Sequence, residues 1–142
     1  MIACGDAQQQ SPPVIDTAFD SYVNKFESKI NKKVNVDVKF APQEYPTVGV
    51  CITYTNGQRE IEIDQIYWEE ASAAHKEVLI FHEFGHCILG RDHDTSLLDG
   101  YFMPKSIMYP YIFGNKYLEQ ENYYLSELKS PEKDWTFLLQ QR

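Results

Sequence analysis

His82-Glu83-Phe84-Gly85-His86-Cys87-Ile88-Leu89-Gly90-Arg91-Asp92-His93 gathers three of the chain's four histidines into one string, with a glutamate beside the first. In a helix, His82 and His86 fall on one face, and two imidazoles at that spacing can reach a single cation. Glu83 stands beside that face without needing to be a ligand, the place from which a carboxylate could deprotonate a metal-bound water. Gly85 costs a helix about 1 kcal/mol relative to alanine, so a close packing partner is expected there. Gly90 lets the chain leave the helix, and His93 can then swing back toward the cation. Three neutral imidazoles leave one tetrahedral position open, the arrangement of a catalytic rather than a structural zinc.

Working outward, the apolar positions Ala71, Ala73, Ala74, Val78, Leu79 and Phe81 extend the motif helix back to about Glu70 and forward to Leu89, with Gly90 as its cap. Before it, Val34, Val36, Val38 and Phe40 alternate with polar residues as a strand that Pro42 and Pro46 end. Val48 to Tyr54 reads as a second strand, Thr55-Asn56-Gly57-Gln58 as a hairpin turn, and Ile61 onward as a third strand reaching about Tyr67. Phe19, Tyr22, Val23, Phe26 and Ile30 recur at helical spacing, predicting a helix from Ile15 to about Lys32 that covers the sheet. After His93 the chain is loop-like to about Tyr117. Leu118 to Lys129 is a candidate helix, and Ser130-Pro131-Glu132 is read as a helix start.

The string at 82 to 93 resembles the zinc signature of the metzincin metallopeptidases, and Ser106-Ile107-Met108-Tyr109-Pro110-Tyr111 resembles the matrixin form of that family's methionine turn. The resemblance implies a zincin-like α+β domain. Its small twisted mixed sheet would pack on an N-terminal helix and a long active-site helix, with a C-terminal helix after the methionine turn. It implies one catalytic Zn2+ held by His82, His86 and His93, Glu83 as the base, and Met108 as a hydrophobic floor beneath the metal. Tyr109 and Tyr111 become candidates for lining the pocket or donating to the oxyanion. One departure stands out: the family pattern puts two residues between the second histidine and the glycine, whereas Cys87, Ile88 and Leu89 intervene here. Asp92 therefore occupies the register of the third ligand. His93 is favoured, because Gly90 and His93 keep the Gly-x-x-His spacing and imidazole suits zinc better than a lone carboxylate, with the helix ending one residue later.

The implied reaction is zinc-dependent hydrolysis of peptide bonds in a protein or peptide substrate, through a metal-bound water activated by Glu83. Two alternatives remain. One is a zincin-fold binding protein that cleaves nothing. The other is a metal-dependent endoribonuclease, which the acidic balance, Glu83 and Met108 oppose. With 13 basic and 21 acidic residues the net charge is -8, which disfavours nucleic acid and anionic membranes as partners. The chain of 142 residues is expected to hold a single catalytic domain, residues 14 to 142, and to be a monomer. No apolar run approaches the roughly 20 residues of a membrane helix.

Residues 1 to 13 read as a polar, disordered tether. Within it, Cys4 follows small and aliphatic residues and resembles the lipidation site of a bacterial lipoprotein, implying an extracytoplasmic domain held at a membrane only by that anchor. Cys51 and Cys87 read as buried thiols, with a disulfide as the alternative in an oxidising compartment. Asp92, Asp94 and Asp99 could bind calcium but lack the glycine and terminal glutamate of a known loop, so a solvated loop is favoured. His75 reads as a surface residue.

Overall fold

Alternation from Val34 to Phe40 and the Asn-Gly turn at 56–57 place strands where a helix must cover their apolar face. A computed structural model describes residues 11–140 and bears this out in outline. Strands β1 (Asp37–Phe40), β2 (Gly49–Thr53) and β3 (Arg59–Ile63) form one sheet in the order β1-β3-β2. β1 runs parallel to β3 and β2 antiparallel to it, so the sheet is mixed and β2 is an edge strand. Helix α1 (Asp20–Ile30) buries Val23, Phe26 and Ile30, and Asn31 ends it in a left-handed conformation at φ 61°. The long helix α3 (Ala73–Cys87) packs against α1 and against strands β2 and β3. Phe26 meets Phe84 and Phe81 with ring centroids 4.8 and 5.5 Å apart, and Leu79 packs toward Ile63 and β2. Cys4 and its proposed lipidation lie outside the described residues.

Local hydrogen bonding shifts several predicted boundaries. Val14 and Asp16 bond to Val38 instead of starting a helix at Ile15, and the chain turns through a 3-10 segment at Thr17–Phe19 before α1. Asp64 accepts from the Tyr67 backbone N–H at 2.9 Å and caps helix α2 (Gln65–Glu70), which replaces the predicted end of the third strand. Ala71 is extended and Ser72 caps α3 afresh, so the helix predicted from Glu70 begins at Ala73, after α2 has ended. The predicted loop contains a small hairpin, β4 (Leu97–Leu98) with β5 (Met103–Pro104). Helices α4 (Asn115–Glu119) and α5 (Glu121–Lys129) follow. No helix starts at Ser130. Its N–H bonds to the Ser126 carbonyl at 2.9 Å, so it closes α5, and among the described residues only a 3-10 turn at Thr136–Leu138 comes later.

The reading of Cys51 and Cys87 as thiols is corrected: they form a disulfide across Cα atoms 5.6 Å apart. Cys51 sits mid-way along β2 and Cys87 ends α3, and the packing of that strand on that helix brings them face to face. Crosslinking residues 36 apart in sequence restricts the unfolded chain, a stabilisation of about 3 to 4 kcal/mol in loop-entropy terms. The bond also fixes the edge strand to the helix end that carries His86.

Candidate metal centre

α3 presents His82 and His86 one turn apart, and the turn after it delivers His93 to them. The His82 Nε2 lies 3.1 Å from the His86 Nε2 and 3.2 Å from the His93 Nε2. On their outer sides, His82 Nδ1–H donates to the Ile107 carbonyl at 2.8 Å and His86 Nδ1–H donates to the Arg91 carbonyl at 2.7 Å. A carbonyl can only accept, so both Nδ1 atoms carry the proton and both Nε2 atoms turn lone pairs inward. Burial pushes the His82 imidazole down to about 4 and lowers that of His86, favouring the neutral, metal-binding form of each. Lone pairs converging at this separation repel unless a cation stands between them. Ligand nitrogens about 3.3 Å apart are what a tetrahedral ion with bonds of about 2.0 to 2.1 Å requires. The residues therefore fit a metal ion, and among the described residues no other group of three side chains converges in this way.

His93, not Asp92, completes the three-histidine group. α3 ends at Cys87, and Gly90 at φ 66° reverses the chain so that the Arg91 N–H bonds back to the Gly85 carbonyl at 2.9 Å. The additional residue between His86 and Gly90 is absorbed in that turn rather than in a longer helix. Asp92 lines the same cleft, where its charge favours protonated His86, but it is outside the three-histidine group.

Ser106, Ile107 and Met108 each make a distinct contact beneath the site. The buried Ser106 Oγ accepts from the Met108 N–H at 2.9 Å, and the Ile107 carbonyl receives the His82 proton. The Met108 carbonyl accepts from Asp94 N–H at 2.9 Å, just after His93. The fully buried Met108 lies so close to α3 that a Cβ on Gly85 would stand 2.3 Å from its sulfur. Gly85→Ala should therefore lower stability. Overpacking costs about 1 to 3 kcal/mol, against a gain of about 1 kcal/mol in helix propensity. Thermal unfolding checks this, and a midpoint at or above the parent's would mean that Met108 yields freely.

Glu83 is 4% exposed, and burial pushes its carboxyl up to about 8. It faces the start of β2, where Gly49 leaves close quarters: a Cβ there would stand 3.2 Å from Glu83 Oε2 and 2.9 Å from Leu79, so these side chains would have to shift. A cleft of about 670 Å³ runs between β2, the three histidines and Pro110 to Ile112. Tyr111 stands at its rim, 73% exposed, whereas Tyr109 packs against the Tyr111 ring and does not line the cleft. His75 lies apart, bonded to Ser72 and packed over Gly114. Asp94 caps the Ser96 N–H, and neither it nor Asp99 joins a metal-binding group among the described residues.

Sequence reasoning did not find Gly49, Arg91 or Glu127. Arg91 supplies the carbonyl that orients His86, while its guanidinium is held bidentately by Glu127 on α5 at 2.9 and 3.0 Å. A glycine opening a strand was a visible signal for Gly49, but nothing local links Arg91 to a residue 36 positions away.

Residues 23–110 match the family model described as "Putative phage metallopeptidase", a span that contains the three histidines, Glu83 and Met108. No curated protein and no solved structure gave a significant match.

Proposed function

Since the chain belongs to this phage metallopeptidase family, we propose that it is a zinc-dependent endopeptidase with a metzincin-like site of the matrixin type. The observation that carries the reading is the three-histidine cluster, with both helix imidazoles locked in the tautomer that turns Nε2 inward. Zinc held by His82, His86 and His93 would supply Lewis acidity, lowering the pKa of a bound water and polarising the scissile carbonyl. Glu83, ionised once a cation at the histidines offsets the burial that raises its carboxyl, would take the proton of the attacking water and pass it to the leaving nitrogen. Met108 keeps the floor of the site apolar. Tyr111, exposed at the rim of the cleft, would contact substrate.

The substrate class follows from the edge of the sheet. β2 pairs with β3 on one side, and its residues Gly49 to Cys51 line the cleft beside the histidines. An extended peptide can add to such an edge through main-chain hydrogen bonds, which places its carbonyls near Glu83. The net charge of -8 supports a neutral or basic peptide over a polynucleotide. The Cys51–Cys87 disulfide supports an oxidising, extracytoplasmic compartment, in keeping with a lipid anchor at Cys4.

Cleavage of a peptide library with and without chelator tests this reading. Purified protein should contain about one zinc per chain, lose cleavage on chelation and regain it on adding zinc. Protein that binds no stoichiometric zinc, or that cleaves equally in chelator, would sink the proposal.

A further inference from the structure

Outside the histidine cluster, the most tightly built polar feature near the site is the Arg91–Glu127 pair. Arg91 is tied at three points: its N–H to the Gly85 carbonyl, its carbonyl to His86 Nδ1–H, and its guanidinium to both carboxylate oxygens of Glu127. The Glu127 side chain is 3% exposed and that of Arg91 14%. A buried ion pair of this kind is weak evidence for stability, because apolar residues of similar volume often serve as well. What a bidentate pair provides is orientation, since a planar fork on a carboxylate leaves one arrangement of both groups. Here the arrangement fixes a carbonyl that sets a ligand's tautomer, in the turn that carries the chain to His93. The same helix reaches the other side of the site: Tyr123 and Tyr124 donate to the carbonyls of Lys105 and Pro104, just before the turn whose Ile107 carbonyl orients His82.

We infer that Glu127 is a positioning residue of the metal centre, acting through Arg91 to hold His86 and the turn to His93 in their ligating geometry, with α5 as the outer frame. The inference rests on the reading of the cluster as a zinc site. Outer partners that orient ligating histidines commonly contribute about 10- to 100-fold in metal affinity.

Two variants separate positioning from simple packing. E127Q keeps the side chain's size but breaks the charge pair, and should weaken zinc binding about 10- to 100-fold in a competition titration with a chelator. The double variant Arg91→Met with Glu127→Leu replaces the pair by apolar packing. It should unfold near the parent's temperature in chelator yet keep the weakened zinc affinity. A double variant that binds zinc as tightly as the parent would overturn the inference while leaving the zinc site itself intact. Should the double variant not fold, E127D decides: it keeps the charge but withdraws the carboxylate, so undiminished affinity overturns the inference and a loss of about 10-fold or more supports it. A parent that binds no zinc would overturn the metal-site reading and this inference with it.

Discussion

Glu83→Gln should give a folded protein that still binds zinc but cleaves peptides about 10²- to 10⁴-fold more slowly, the range a positioned general base contributes. The substitution preserves volume inside α3, where the side chain is almost fully buried, so neither a cavity nor overpacking arises. It also replaces a carboxyl that burial already disfavours as an anion with a neutral amide. Stability should therefore hold or rise. Because Glu83 is outside the histidine group, zinc affinity should stay within a few-fold of the parent's. kcat/KM on a cleaved peptide, zinc titration and thermal unfolding measure the three quantities separately. Undiminished turnover would remove Glu83 from the chemistry, whereas a collapse of zinc affinity would recast it as a ligand.

The residues that carry this prediction were legible because their signals are local. Periodicity placed His82, Glu83 and His86 on one helix, and Gly85 announced a close neighbour that proves to be Met108. Strand alternation located β1, β2 and β3, although parallel pairing of β1 with β3 depends on how the chain crosses over and no short-range pattern encodes it. Asp64 shows how a local signal can be misread. Ile61 and Ile63 point onward as a strand, but the next carboxylate caps a helix, and a side-chain hydrogen bond to Tyr67 outweighs continued alternation. Ser130 and Pro131 form a good helix start that the protein uses as a stop. The Trp135 indole donates to the Ser130 carbonyl at 2.9 Å, in addition to the bond that the Ser130 N–H makes back to Ser126 in α5. Cys51 with Cys87, and Arg91 with Glu127, are pairs made by packing, and each partner alone looks ordinary in sequence. The candidate metal centre was thus readable in its histidines and hidden in the distant pairs that brace it.

His93→Ala is expected to reduce zinc affinity well beyond the roughly 10- to 100-fold that outer partners contribute, and Asp92→Ala by only a few-fold. The contrast follows from which atoms converge. His93 brings Nε2 to 3.2 Å from the His82 Nε2, while Asp92 affects His86 only through its charge. With His93 gone, two nitrogens on one helix turn remain, too few to hold a zinc ion in tetrahedral geometry against water. Asp92→Ala leaves all three nitrogens in place and removes one neighbouring negative charge, largely screened at the cleft's solvent-facing side. Competition titration of both variants, with added imidazole partly restoring zinc to His93→Ala, measures the difference. A larger loss from Asp92→Ala would move the third ligand to the carboxylate. That outcome would also require the turn after Gly90 to rearrange, because its Arg91 N–H bond to Gly85 and the hold of Glu127 on Arg91 now bring the imidazole, not the carboxylate, to the site.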